Sequence, residues 1–178
     1  MRATTRPPAL PRAIIAAVAA CAWIGAAEAG AEKAAVFPIE MNDPGATYGA
    51  RTRPADAKKL TLVTDELRSA LKAQSGVEVI DTAPAAKEVE QKGPLYKCNG
   101  CADDIAKGLG ADLTVTGYAQ RGANQIFNLN VTIAEAATGK LIRGGQVTVR
   151  ADDDNTWAHA MRWLVKNRLL AEPLPAKP

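Results

Sequence analysis

Three consecutive segments decide the predicted fold: residues 112–121 read DLTVTGYAQR, residues 125–134 read QIFNLNVTIA, and residues 140–150 read KLIRGGQVTVR. Apolar and polar residues alternate along each segment, as in a β-strand with one buried face. Short glycine-containing turns at 122–124 and 137–139 separate the segments. The pattern therefore predicts an antiparallel three-stranded meander whose apolar face lies on the core.

The other face of the predicted meander carries polar side chains with hydrogen-bonding groups. Its members are Thr114, Thr116, Tyr118, Asn128, Asn130, Thr132, Gln146 and Thr148. If no helix covers this face, it offers a flat surface for a partner protein or another subunit. An ordinary solvated face is the alternative that the sequence leaves open.

Hydrophobic periodicity predicts the elements around the meander. In order, they are a strand at 34–40, a helix at 56–74, a strand at 77–80, a helical turn at 84–91, a helix at 101–109 and a helix at about 156–170. Pro38 restricts the first strand to an edge or a strand end, and Asp56 can cap the long helix. The predicted fold class is α/β (α+β): a two-layer sandwich in which a mixed sheet, ending in the antiparallel meander, carries its helices on one face.

The N-terminal residues have the features of an export signal. Three arginines precede an apolar run from Ala13 to Ala27, and Ala27-Glu28-Ala29 forms an A-x-A site. We predict cleavage after Ala29, a single domain over 30–171 and a disordered tail over 172–178. The predicted location is the periplasm or the exterior.

A second processing site competes with the first. Val18-Ala19-Ala20-Cys21 resembles the lipobox of bacterial lipoproteins, so the alternative is a protein anchored to the membrane through a lipidated Cys21. In the soluble case no membrane contact is expected.

Charge argues against nucleic acid as a partner. The whole chain has 22 basic and 19 acidic residues, but the predicted signal contains three arginines and one glutamate. The predicted mature chain keeps 19 basic and 18 acidic residues, a net charge near +1. A nucleic-acid surface needs a clustered positive field, which this composition does not indicate.

One motif has chemical potential: Cys98-Asn99-Gly100-Cys101. Export places this pair in an oxidising compartment, where we expect it to form a disulfide. A structural link that joins loop 92–97 to the following helix is the favoured interpretation. Thiol–disulfide exchange is the alternative, because a helix N-terminus lowers the pKa of a CxxC thiol.

The remaining candidates for chemistry favour structural roles. Asp152, Asp153 and Asp154 precede the last helix, and capping of that helix is favoured over a weak site for a hard cation. His159 is the single histidine, and no serine is positioned by the sequence to form a triad with it. We therefore predict no catalytic residue, no metal and no cofactor.

Two motifs resemble segments of bacterial envelope proteins. Residues 105–112, IAKGLGAD, running into Val115-Thr116-Gly117, resemble the helix–LGAD–strand–glycine segment of the N-terminal domain of TolB, of CsgG and of FlgO. Residues 135–140, EAATGK, resemble their D-A-x-T-G-K turn, with Glu135 in place of the usual aspartate. Val36-Phe37-Pro38 matches their first strand.

A closer resemblance is to an uncharacterised family of exported proteobacterial proteins that is known as a domain of unknown function. It rests on residues 93–95, GPL, on the CxxC motif, on Thr156-Trp157 and on residues 163–169, WLVKNRL. The resemblance spans about residues 34–170 and implies the same fold and compartment. It carries over no catalytic residue, and the envelope proteins imply a role in assembly and protein contact.

These observations predict an exported, non-catalytic module that binds another envelope protein or helps to assemble a complex. The partner is not identified by the sequence. The alternatives are a thiol–disulfide exchange protein using Cys98 and Cys101, and a periplasmic protein that binds a metal or small ligand through the acidic turn.

Overall fold

The computed structural model of the chain describes residues 31–46, 52–74, 76–122 and 126–174. The predicted cleavage site after Ala29 and the lipobox at Cys21 lie outside these residues. The strands are β1 (Lys33–Val36), β2 (Glu40–Asn42), β3 (Glu78–Ile80), β4 (Leu113–Arg121), β5 (Phe127–Glu135) and β6 (Leu141–Val149). The helices are α1 (Pro54–Gln74), α2 (Ala86–Lys92), α3 (Cys101–Gly108) and α4 (Asp154–Leu164).

The strands form one mixed sheet in the order β3-β1-β4-β5-β6, and β2 also pairs with β4. β1 is parallel to both β3 and β4, whereas β4, β5 and β6 are antiparallel neighbours. The predicted α+β class, the mixed sheet and the C-terminal meander are confirmed.

The first predicted strand is divided at Pro38. β1 pairs with residues 113–115 and β2 pairs with residues 118–120, so both lie along the same edge of β4. Proline has no N–H to donate to a neighbouring strand, which explains the interruption. Pro38 is thus at a strand end, as predicted, but β1 is an interior strand between β3 and β4 rather than an edge.

Ile39 fills the gap that the interruption leaves beside β4. Gly117 faces it, and a Cβ atom on Gly117 would lie 2.6 Å from Ile39 Cδ1 and 2.6 Å from the carbonyl oxygen of Asn130. The Ile39 N–H donates to the buried Thr64 hydroxyl at 2.9 Å, and that hydroxyl donates to the Leu60 carbonyl at 2.7 Å. The hydroxyl therefore satisfies a backbone group that would otherwise be buried without a partner.

The main core lies between one face of the sheet and helices α1 and α4. α1 contributes Val63, Leu67 and Leu71, all fully buried. The Phe127 and Trp157 rings lie with their centroids 4.7 Å apart and tilted by 60°, an arrangement that aromatic pairs favour.

A second, smaller core lies on the opposite face of the sheet. Ala35 and Phe37 of the first strand region point into it, while Ala34 and Val36 point into the main core. Helix α3 covers the second core with Ala102, Ile105 and Ala106. The prediction of helices on one face holds for α1 and α4, but α2 and α3 pack on the other face, where Ala35 and Phe37 are also apolar.

The LGAD motif connects α3 to β4 and anchors the start of β1. Gly110 has φ +76°, a left-handed conformation that favours glycine at the end of a helix. The Asp112 carboxylate accepts the Lys33 N–H at 3.1 Å, and the Asp112 N–H donates to the Lys33 carbonyl at 2.8 Å. The motif thereby sets the relative position of two adjacent parallel strands.

Asp56 does not cap α1, contrary to the prediction, since the helix begins at Pro54. Its buried carboxylate instead contacts Arg121 Nη2 at 2.6 Å and Arg53 Nε at 2.8 Å. Arg121 also contacts Asp43 at 2.8 Å and lies over the Phe127 ring. Burial alone would raise the pKa of Asp56, but the two arginines outweigh it and hold that pKa below its ordinary value.

The C-terminal helix is capped as expected, since the Asp153 carboxylate accepts the Thr156 N–H at 2.9 Å. The helix continues as a π-helical turn over Val165–Leu169.

Part of the predicted tail contacts the domain: Arg143 donates to Glu172 and to the Pro173 carbonyl, and Leu174 packs on the main core. Residues 175–178 lie outside the described part of the chain, and the predicted domain limits stay predictions.

We expect Gly117→Ala to destabilise the protein by about 1–3 kcal/mol, the usual cost of overpacking a core, because its Cβ would overlap Ile39 and the β5 backbone. Chemical denaturation would measure the loss. The matched control is Gly108→Ala in α3, where a Cβ would meet no atom within 4 Å. We expect this control to stabilise the protein by about 0.5 kcal/mol. Equal effects at the two positions would contradict the steric explanation.

Asp56→Asn should destabilise the protein by about 2 kcal/mol at pH 7, because it removes the buried charge that pairs with Arg53 and Arg121 and leaves Arg121 with Asp43 alone. The lowered pKa of Asp56 means that the ionised carboxylate stabilises the fold fully above its ordinary pKa of 3.8. This stabilisation is lost as the pH falls through the lower, folded-state pKa. The difference between wild type and Asp56→Asn should therefore shrink below pH 3.8 in denaturation measured across pH.

Asp104→Asn is the matched control for this carboxylate. Asp104 forms an exposed pair with Lys107 at 3.3 Å. Exposed pairs contribute little, so we expect a change of about 0.5 kcal/mol or less. A pH-independent effect at Asp56 would contradict the ionic explanation.

Candidate partner-binding surface

The register of the meander brings the predicted polar residues into rows across β4, β5 and β6. Thr116 pairs with Thr132, and Tyr118 pairs with Asn130, which pairs in turn with Gln146. Asn128 pairs with Thr148 at the far end of the face. Seven of the eight predicted residues, all except Thr114, thus lie together on one accessible side of the sheet.

Hydrogen bonds hold several of these side chains in place. The hydroxyls of Thr116 and Thr132 lie 3.0 Å apart, and the Thr148 hydroxyl donates to Asn128 Oδ1 at 2.8 Å. Asn130 Nδ2 donates to the Asn128 carbonyl at 3.0 Å. Side chains that are fixed before binding lose less conformational entropy when a partner docks.

Thr114 does not belong to the accessible surface, contrary to the prediction. It is 3% exposed and pairs with Ala35, whose side chain lies in the second core under α3. Within the described part of the chain its hydroxyl has no hydrogen-bond partner. The alternation of the strand sequence cannot show that a helix covers one end of the polar face.

Tyr118 is half-buried because a neighbouring segment packs on it. The Tyr96 and Tyr118 rings are stacked, with centroids 4.5 Å apart. Tyr96 lies in the short 3-10 turn Leu95–Lys97, and its N–H donates to Glu40 Oε2 at 3.2 Å. Because Glu40 pairs with Tyr118 in the sheet, the carboxylate and the two rings form one contact, which we call the tyrosine clamp.

The Glu40 carboxyl of the tyrosine clamp is partly withdrawn from water. Burial raises its pKa above the ordinary value, and hydrogen bonds from the N–H groups of Tyr96 and Leu95 oppose the shift. Sequence reasoning missed Glu40 and Tyr96. The only local signal is that Leu95–Lys97 directly precedes the CxxC motif.

The CxxC motif links the tyrosine clamp to α3. Cys98 and Cys101 are joined by a disulfide, with their Cα atoms 5.8 Å apart. Cys101 is the first residue of α3, and its N–H lies 3.1 Å from Cys98 Sγ. Gly100 precedes the helix with φ +88°, a conformation that glycine adopts without strain. The disulfide therefore connects the segment over Tyr118 with the helix over Thr114.

The remaining six residues, which we call the open polar face, are accessible. Thr132, Gln146 and Thr148 are exposed, while Thr116, Asn128 and Asn130 are half-buried. β6 forms one edge of the sheet and has β5 as its strand neighbour in the described structure. Leu141 at the start of β6 is 60% exposed and pairs with Ala134 on the same side. The open polar face thus adjoins an edge strand and an exposed apolar side chain.

The acidic turn is occupied by other contacts. Asp152 lies 3.0 Å from Lys59, and Asp154 lies 3.7 Å from Lys58. Asp153 caps α4, and hydrogen bonds from Thr156 lower its pKa. Among the residues that the structure describes, no group of three or more histidine, cysteine or acidic side chains is arranged to hold a metal ion.

The aromatic residues of α4 have different environments. Trp157 is fully buried, in agreement with a packing role, but Trp163 is 40% exposed. Trp163 lies beside His159 on the outer surface of the helix, with the Arg168 guanidinium 5.7 Å from its ring centroid. The two tryptophans therefore differ: Trp157 packs in the main core, whereas Trp163 is partly open to solvent.

None of the helices in the described residues combines the length and the hydrophobicity that a membrane span requires. α1 is long enough at 21 residues, but charged side chains interrupt it. The predicted signal segment lies outside the described residues, so its role stays a prediction.

Several solved structures are similar in fold. The C-terminal domain of LpoB from Escherichia coli is 20% identical over 72% of this chain and 90% of that chain, with a TM-score of 0.46. Lipoprotein GNA1162 from Neisseria meningitidis is 14% identical over 67% of this chain and 80% of that chain, also with a TM-score of 0.46. At these values the similarity transfers no function to this chain.

A PelC dodecamer from Paraburkholderia phytofirmans is similar at 13% identity over 77% of this chain and 86% of that chain, with a TM-score of 0.45. No curated protein matches the sequence significantly. The resemblance to TolB, CsgG and FlgO stays a prediction.

The model of the family DUF3280, described as "Protein of unknown function (DUF2380)", matches residues 32–169. The matched region runs from the start of β1 to the end of the π-helical turn, so it includes the whole sheet and the CxxC motif. The chain therefore belongs to this family of unknown function, as the closer of the two resemblances implied.

Proposed function

We propose that this protein is an exported, non-catalytic module that binds another envelope protein through the open polar face. The observation that carries the proposal is the combination of pre-positioned polar side chains with an adjoining edge strand. β6 can offer backbone N–H and C=O groups to an added strand, and the polar side chains beside it can select the partner. Export and location in the envelope rest on the predicted signal segment.

Site-specific crosslinking in the native envelope tests the proposal. We expect a photoreactive residue at Gln146 to capture a defined partner, because Gln146 is exposed on β6. The same residue placed at Thr61, exposed on α1 on the other side of the sheet, is the matched control. Mass spectrometry of the captured complex would also read the N-terminus of the mature chain and decide between Gly30 and a lipidated Cys21.

Thr132→Arg should weaken capture at Gln146 by at least about tenfold, because a bulky charge at the centre of a contact surface interrupts its packing. Thr61→Arg should leave capture unchanged. Thermal melting of both variants would exclude unfolding as the cause. Equal capture at Gln146 and Thr61, or no effect of Thr132→Arg, would contradict the assignment of this face.

Thiol–disulfide exchange is the second candidate, favoured by one observation: the disulfide lies at the N-terminus of α3. Against it, the disulfide joins two packed segments, which supports the structural interpretation. We therefore expect a reduction potential below about −300 mV, the range of structural disulfides.

The double variant Cys98→Ser/Cys101→Ser should lose about 2 kcal/mol of stability, the value that the chain-entropy relation gives for so short a loop. Reduction of the wild-type protein should give a similar loss, measured by denaturation with and without dithiothreitol. A potential between about −120 and −270 mV would favour the exchange reaction instead. Crosslinking at Gln146 should persist in the double variant, because the open polar face lies outside the disulfide-linked segments.

A further inference from the structure

A groove of about 570 Å³ lies at the carboxyl ends of β1 and β3, away from the open polar face. It is lined by Pro38, two residues past the end of β1, and by Val79 and Ile80 at the end of β3. Arg68 of α1 and Val89 of α2 also line it. The volume is within the range of small-molecule sites, about 300–1,000 Å³.

The topology explains why a groove forms at this place. β1 and β3 are adjacent and parallel, so their carboxyl ends meet at the same edge of the sheet. After β1 the chain passes through β2 to α1, which packs on the main core. After β3 it passes to α2 and α3, whose side chains join the second core on the opposite face. Connections that leave neighbouring parallel strands toward opposite faces open a crevice between them, and such crevices bind ligands in open α/β sheets.

Arg68 supplies the fixed positive charge of the groove. Its Nη2 donates to the Val36 carbonyl at 3.0 Å and lies 3.4 Å from the Thr82 hydroxyl. The last residue of β1 that pairs with β3 is Ala35, opposite Ile80. Arg68 thus provides a hydrogen-bond partner for the Val36 carbonyl, one residue beyond the end of that pairing. Among the residues that the structure describes, Arg68 contacts one carboxylate, that of the exposed Asp65, and this contact is long at 3.5 Å. A guanidinium has five N–H donors, so this arginine keeps donors for an anion.

Two acidic residues also line the groove, and both are exposed. Asp81 Oδ1 accepts the Ala83 N–H at 2.9 Å, so this carboxylate is engaged in the turn after β3. Glu90 lies on α2 at the solvent side. An anionic ligand is therefore best placed with its charge at Arg68 and its apolar part along Ile80 and Val89.

We propose that this groove binds a small, apolar carboxylic acid, with the carboxylate paired to Arg68 and the hydrocarbon part on the Pro38, Ile80 and Val89 surface. The site is separate from the open polar face, so its failure would leave the proposed function untouched. Charge-assisted pairing between a guanidinium and a carboxylate provides the orientation, and the apolar walls provide the contact area.

Hexanoate is the probe, and the exported chain from residue 30 is the protein. In an amide NMR titration we expect a dissociation constant on the order of 1 mM, as befits a ligand with so few non-hydrogen atoms. Chemical-shift changes should concentrate on residues 79–90. Hexanamide, which has the same shape without the charge, should bind at least about tenfold more weakly. Equal binding of the two probes, changes centred elsewhere, or no saturable binding would overturn the proposal.

Arg68→Gln should reduce hexanoate binding to the level of hexanamide, about tenfold, because the neutral amide has no charge to pair with the carboxylate. Arg162→Gln on α4 is the matched control and should bind hexanoate as the wild type does. Undiminished binding by Arg68→Gln would overturn the assigned role of Arg68.

A second variant keeps the test informative if Arg68→Gln does not fold. Ala86 is exposed on α2 and lines the groove, so Ala86→Phe should fill it without disturbing a core. We expect it to abolish binding of hexanoate, whereas Ala55→Phe, at an exposed position in the first turn of α1, should not. Hexanoate binding that survives Ala86→Phe would place the ligand elsewhere and refute the proposal.

Discussion

The pairing of β4 on both of its edges is the constraint on which the rest of the structure depends. One edge is covered by β5, and the other by β1 and β2 in succession. The interruption at Pro38 would leave buried backbone without partners, but Ile39 fills the gap against Gly117 and the Thr64 hydroxyl accepts the Ile39 N–H. The position of β2 beside β4 depends on this arrangement, and so does the place of Glu40 in the tyrosine clamp.

The two faces of the sheet are used differently along its width. At β1 and the start of β4 both faces are buried, because the main core lies on one side and α3 covers the other. Toward β6 the second face opens, and the residues there become polar and accessible. The change from apolar to polar follows the end of the α3 cover, and the disulfide with the stacked tyrosines marks the boundary.

The two proposed sites use opposite ends of this architecture. The open polar face belongs to the antiparallel half, where a strand edge and hydrogen-bonding side chains suit a protein partner. The groove belongs to the parallel half, where crossover connections part to opposite faces and leave a crevice beside Arg68. Mixed sheets combine both settings, because antiparallel sheets can face water on one side whereas parallel strands need helices around them.

The sequence by itself determined the meander, the main helices and the order of the elements, since hydrophobic periodicity and turn residues act over a few neighbouring positions. It did not show that the first predicted strand is divided into β1 and β2. Most of the polar face followed from alternation alone. Only the tertiary structure decided that α3 buries Thr114, that Asp56 pairs with Arg121, and that Tyr96 stacks on Tyr118. These contacts join residues far apart in the chain, and a local pattern contains no information on which helix packs on which end of a strand.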